Sequence, residues 1–166
     1  PSGFAVAPLA PLLARVIETL TSYAADHGVG LKLKPSDAPN QLLRLHAGRV
    51  ERLISNLVTN AIKASAQGGT VELGLTTTGQ GFYVKDEGAG LPHDIQKALF
   101  KPFARGDTYR VNEGYGLGMS IVKAIVDQHL GEITFKTAEG KGTTFLVDFP
   151  ALNSSETAAP SKGLPE

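Results

Sequence analysis

Asn56, Asn60 and Lys63 stand at i, i+4 and i+7. On a helix turning about 100° per residue their directions are about 0°, 40° and −20°, so all three share one face. An amide oxygen is a hard donor for Mg²⁺, and an ammonium neutralises phosphate. Two amides and an ammonium in line therefore suit a metal–phosphate ligand, although a solvated helix face has the same composition. Downstream, Asp86-Glu87-Gly88-Ala89-Gly90-Leu91-Pro92 sets an acid ahead of a glycine loop. Glycine permits positive φ and close approach of backbone. An aspartate there can accept from the exocyclic amino group of adenine, and the same residues also make a plain strand-ending turn. Gly114-Tyr115-Gly116-Leu117-Gly118-Met119-Ser120 then leads straight into an apolar helical run. Glycines before a helix start leave unpaired N–H groups and the positive end of the helix dipole, which is a phosphate site. No strand immediately precedes it and no Gly-Lys-Ser/Thr follows, so it is neither the dinucleotide fingerprint nor a Walker A loop. A flexible hinge is the alternative.

Between these two glycine clusters lie Phe100, Lys101, Phe103, Arg105 and Arg110. The phenylalanines suit anchors packed into a core, and the cations suit groups that swing over phosphates. A long loop flanked by glycines reads as a lid, or more plainly as a solvated basic loop. Gly142-Thr143-Thr144-Phe145 opens a late strand, where Thr143 can bond a base directly or through water, or simply occupy a hairpin.

The elements that must position these residues follow from periodicity. Leu9–His27 has apolar residues at helical spacing, with Gly28 as a stop. A second helix is expected from about Gly48 to Ala66, a short one near Pro92–Phe100 and a third long one over Leu117–Leu130. Strands are expected at Val29–Lys34, Leu42–Leu45, Thr70–Thr77, Gly81–Lys85, Glu132–Thr137 and Thr143–Phe149. Hairpins mixed with helices predict an α+β two-layer sandwich, a mixed and mostly antiparallel sheet covered on one face by three helices. Residues 1–8 read as a linker, 9–150 as the folded domain and 151–166 as a mobile tail.

Composition narrows the chemistry. The chain has 166 residues and no cysteine, which excludes a disulfide framework, a thiolate metal site and a cysteine nucleophile. Sixteen basic residues balance sixteen acidic ones, so no broad positive field points to nucleic acid or anionic lipid. No apolar run reaches the ~18 residues that cross a bilayer, and no signal peptide is expected. Glycine, at 19 residues, is about 11% against a usual ~7%, and it is clustered rather than periodic. Gly68, Gly69, Gly79 and Gly81 are expected to serve turns.

The order of the set, Asn-x3-Asn, D-x-G-x-G, Phe-x2-Phe, G-x-G-L-G and G-T-T-F, resembles the nucleotide-binding domain of sensor histidine kinases. That domain has the Bergerat fold of the ATPase superfamily shared with gyrase, MutL and the heat-shock chaperones, and the resemblance covers roughly residues 10–150. It implies ATP and Mg²⁺ as ligands. Asn60 matches the magnesium asparagine, Lys63 the lysine that reaches phosphate, and Asp86 the adenine-reading aspartate in a loop shaped by Gly88 and Gly90. Phe100 and Phe103 match the aromatic box. Gly114, Gly116 and Gly118 match the glycine box beside the triphosphate, and Thr143 the threonine at the adenine. Leu91, Tyr115 and Leu117 belong to the same nucleotide-binding set, and Arg105 to the charge that offsets the phosphates.

Asn56 stands where ATP-hydrolysing relatives carry a glutamate that activates water. An amide cannot be a general base, which favours phosphoryl transfer over hydrolysis. Ala64 departs from the aromatic or histidine many kinases carry after the lysine. Of His27, His46, His93 and His129, only His93 precedes an acid, and no proline follows within the next residues. A helix-starting surface histidine is the better reading of His93. The resemblance thus implies a phosphoacceptor histidine on a separate dimerisation domain, a response-regulator receiver as the next partner and a cytoplasmic setting, with membrane anchoring of the parent protein left open. The charge balance and hydropathy add the expectation of no nucleic acid and no membrane segment in this chain. A degenerate nucleotide-binding regulatory module and an anti-sigma-type serine kinase are the alternatives.

Overall fold

Alternation of apolar and polar residues dictates the sheet. In Thr70–Leu75 (β4), Gly81–Lys85 (β5) and Gly142–Asp148 (β7), the side chains of Val71, Leu73, Phe82, Val84, Phe145 and Val147 are buried. Glu72, Tyr83, Thr144 and Leu146 alternate with them on the other face. A computed structural model of the chain describes residues 3–100 and 117–153, with Leu117 described in its backbone alone. With Gly30–Leu33 (β2) and Glu132–Ala138 (β6), these strands form a five-stranded sheet in the order β2-β4-β5-β7-β6. β2 pairs parallel with β4, and the other neighbours are antiparallel.

Ala10–Asp26 (α1), Ala47–Ala64 (α2) and Leu117–Gln128 (α4) pack on the sheet, while His93–Ala98 (α3) is a short turn of helix after the aspartate loop. α1 lies against β2, β4 and α2, and α4 lies against α2 and β6. Their apolar stripes supply Leu12, Leu13 and Val16, then Leu53, Ile54, Leu57 and Val58, then Val122, Ile125 and Val126 to one core. This is the expected α+β sandwich with helices on one face.

The expectation for residues 1–8 needs correcting. Phe4–Ala7 (β1) is a strand, paired antiparallel with Leu43–His46 (β3) in a separate two-stranded sheet. Four residues beside Pro1, Ser2, Gly3 and Pro8 are too few to show a period. The expected lid, residues 101–115, lies outside the described residues, as does 154–166 of the expected tail.

Two histidines join this small sheet to the helices. His46 caps α2, its ring nitrogen Nδ1 accepting from the Arg49 N–H at 3.2 Å. Its own backbone N–H donates to Nε2 of His129 at 3.0 Å, and His129 Nδ1 lies 2.8 Å from the Ile125 carbonyl. A backbone N–H only donates and a carbonyl only accepts, so His129 is neutral with its proton on Nδ1. The Phe4 ring packs on His129 at 5.0 Å, which fastens β1 to the end of α4. Burial lowers the pKa of His129; the Ile125 carbonyl opposes this, and charge at His46 and Arg49 adds to it. The unfolded chain therefore binds this proton more readily, and stability falls as pH drops below about 6.5 toward the lowered folded value. Denaturant midpoints measured across that window should slope with pH, and His129→Gln should flatten the slope. An unchanged slope would contradict the assignment.

α4 ends in a Schellman motif, with Leu130 N–H on the Asp127 carbonyl and Gly131 N–H on the Val126 carbonyl, both at 3.0 Å. The left-handed position is held by Leu130, at φ 56° and 83% exposed. Leu130→Gly relieves that strain and loses little packing, so urea denaturation should show a gain of about 1 kcal/mol. A loss would mean that this leucine packs on something.

Candidate functional site

The site is built where β5 ends. Asp86 follows the last residue of β5, and its N–H donates to the Thr143 carbonyl at 2.9 Å, extending the β5–β7 ladder. Its side chain turns inward and is 3% exposed. Oδ1 accepts from Gly88 N–H at 2.9 Å and from Thr143 N–H at 3.1 Å. Both bonds fall on one oxygen, so among the described residues Oδ2 is left to accept from a ligand. Burial raises the Asp86 pKa, and the two backbone N–H donors partly restrain that rise. A buried carboxylate with one oxygen engaged by the loop and one remaining selects a ligand that presents an N–H.

Three glycines make this arrangement possible, by contact within the protein. A methyl on Gly88 would lie 2.3 Å from the Ala64 carbonyl oxygen, at the last residue of α2. One on Gly90, at φ 84°, would lie 2.5 Å from the Ala138 carbonyl oxygen, and one on Gly142, at φ 109°, would lie 2.2 Å from that of Asp86. Gly140 N–H also donates to the Ala89 carbonyl at 2.8 Å, so the β6–β7 turn braces the loop. Leu91 is buried, and its N–H donates to Thr137 Oγ1 at 2.8 Å. Thr137 Oγ1 in turn lies 2.9 Å from Oγ1 of Thr143, which is 2% exposed. Thr137 is not among the residues that the sequence motifs single out. Its signal is its register opposite Thr143 across the hairpin, where paired threonine hydroxyls bond.

One turn of α2 before Ala64, about 6 Å along the axis, stands Asn60. It is buried, its neighbour is Gly118 in the first turn of α4, and its Nδ2 lies 3.2 Å from the Met119 sulfur. Asn56 is half-buried on the same helix, and Lys63 is exposed in its last turn. The polar face read from the sequence is thus covered at Asn60 by α4 and open at Lys63. Phe100 packs edge-on to Phe135 at 6.2 Å, as an anchor should. Gly114, Tyr115 and Gly116 lie outside the described residues, as do Arg105, Lys101, Phe103 and Arg110.

Among the described residues, no three His, Cys, Asp or Glu side chains gather to hold a metal. An ion here would take the Asn60 oxygen together with oxygens of its ligand, and that sparse donor set suits Mg²⁺, which is commonly held by few protein groups plus phosphates. A groove of about 580 Å³ on the opposite sheet face, lined by Lys34, Asp37, Tyr83 and Leu146 among others, includes none of the predicted residues. Tyr83 there donates to Glu72, and burial pushes its pKa up to about 12, far from proton exchange near neutrality.

The family described as histidine kinase-, DNA gyrase B- and HSP90-like ATPase matches residues 45–153. The adaptive-response sensory kinase SasA of Prochlorococcus marinus is 32% identical over 149 residues, which are 87% of this chain and 39% of that kinase. This chain spans 13 to 39% of the length of the curated kinases TmoS and SasA. The catalytic domain of histidine kinase ThkA superposes with a TM-score of 0.73 at 24% identity, covering 89% of this chain and 95% of that one. Full-length ShkA in complex with AMPPNP gives a TM-score of 0.73 at 24% identity, covering 90% and 32%. At that identity the two structures establish the fold.

Proposed function

Because this chain belongs to the family of histidine kinase-, DNA gyrase B- and HSP90-like ATPases, we propose that it is the ATP-binding catalytic domain of a sensor histidine kinase. It passes the γ-phosphate to a histidine on a separate dimerisation domain, from which a response-regulator receiver takes it. The observation that carries the nucleotide reading is the divided carboxylate of Asp86, whose Oδ1 holds the loop while Oδ2 is left for the adenine amino group. Thr143, held by Thr137, lines the same end. Gly88, Gly90 and Leu91 shape that end; Gly114, Tyr115 and Gly116 precede in sequence, and Leu117 and Gly118 open, the helix assigned to the phosphates.

Asn60 would hold Mg²⁺, which when bound neutralises charge on the phosphate oxygens. Lys63 and Arg105 add positive charge along the triphosphate, so the protein contributes positioning and electrostatics. Asn56, half-buried one turn before Asn60, offers no base to activate water. That favours transfer to an acceptor over hydrolysis. Incubation with γ-labelled ATP and a histidine-bearing helical hairpin domain tests this directly. An acid-labile, alkali-stable label on the hairpin is expected. An acid-stable label would point to serine instead, and phosphate release without labelling would point to an ATPase.

A further inference from the structure

Met119 has no part in the function proposed above, yet it touches the side chain on which metal binding rests. Its sulfur lies 3.2 Å from Asn60 Nδ2. Met119 is 0% exposed and Asn60 7%. A thioether sulfur has lone pairs and no hydrogen to give, so it accepts from the amide N–H₂ and repels the amide oxygen. An asparagine amide has two orientations of nearly the same shape, and they are opposite in charge. One presents Oδ1 to a cation and the other presents two N–H groups. Gly118, beside the amide, brings no side chain to choose between them. We propose that Met119 is a positioning residue for the divalent cation, holding the Asn60 amide with Nδ2 on the sulfur so that Oδ1 faces the nucleotide cleft. The inference rests on the reading of Asn60 as the metal ligand.

The chain contains a single methionine. Norleucine incorporation therefore replaces this one sulfur with a methylene and keeps the shape of the side chain, and Met119→Leu makes a similar change genetically. Binding of a fluorescent ATP analogue is read first without divalent ions and then across a Mg²⁺ titration. Metal-free affinity should stay as in the wild type, which also shows the fold intact. The Mg²⁺ concentration at half effect should rise about three- to tenfold, the size expected for one weak hydrogen bond. In the Asn60→Asp background a carboxylate offers oxygen in either orientation, so Met119→Leu should not raise the Mg²⁺ requirement there. Identical Mg²⁺ titrations in wild type and Met119→Leu overturn the role of Met119 alone. An equal rise in the Asn60→Asp background also overturns it, since that would be a packing effect. A wild-type chain whose nucleotide affinity ignores Mg²⁺ overturns this inference and the reading of Asn60 together.

Discussion

Asp86→Asn should weaken ATP binding about a hundredfold while leaving the fold intact. The amide oxygen of asparagine can still accept from Gly88 and Thr143 N–H, the two bonds that now hold Oδ1. The loop therefore keeps its shape. The remaining position changes from a charged acceptor into an N–H₂ donor, set against the amino group of adenine, which also donates. A charge-assisted bond is lost and two donors are left facing one another in a buried site. The same inversion suits a 6-oxo purine, so inosine triphosphate should gain on ATP in the variant. Calorimetry with both nucleotides checks both parts, and unchanged ATP affinity would remove Asp86 from base recognition. Because burial raises the Asp86 pKa, wild-type affinity should also begin to fall at a higher pH than an ordinary aspartate allows.

Gly142→Ala should cost about 2–4 kcal/mol of stability and abolish nucleotide binding. The added methyl meets backbone alone: the Asp86 carbonyl oxygen at 2.2 Å and its carbon at 2.9 Å, and Glu87 Cα at 3.0 Å. No side chain can swing away, so β7 must part from the end of β5, where Asp86 N–H donates to the Thr143 carbonyl and Thr143 N–H donates to Asp86 Oδ1. Gly140, two residues earlier at φ 75°, has nothing within 4 Å of where an alanine methyl would stand. Gly140→Ala therefore costs only the left-handed backbone strain, about 1 kcal/mol. Equal losses for the two variants in urea denaturation would show that backbone approach at Gly142 is not what matters.

The contrast between these glycines marks where the sequence stops being legible. Clustering marks which segments are unusual, and the order of motifs singles out Asp86, Asn60 and Thr143 as candidates. Neither reveals what a glycine meets, because its neighbour is remote along the chain. Gly79 and Gly81 read as turn residues, yet methyls there would lie 2.1 Å from the Pro39 carbonyl oxygen and 2.3 Å from that of Val147. Gly88 and Gly90 read as openings for a ligand, and they also admit the end of α2 and the end of β6. The long helices and the hairpins are readable because their periods extend over many residues. β1 is not, since four residues carry no period and its support comes from His46 and His129. Met119 reads as one more apolar residue of α4, and its sulfur gains meaning only beside Asn60.

The nucleotide reading stands or falls on whether Asp86 and the elements around it recognise adenine. Calorimetric titration of the wild-type chain with a non-hydrolysable ATP analogue and Mg²⁺, run beside the matching guanine analogue, decides this. Saturable binding at one site per chain is expected for the adenine analogue. No comparable heat is expected for guanine, whose 6-oxo group offers Oδ2 no hydrogen. Absence of heat from a folded chain, or equal heats for the two bases, would contradict recognition of adenine by Asp86.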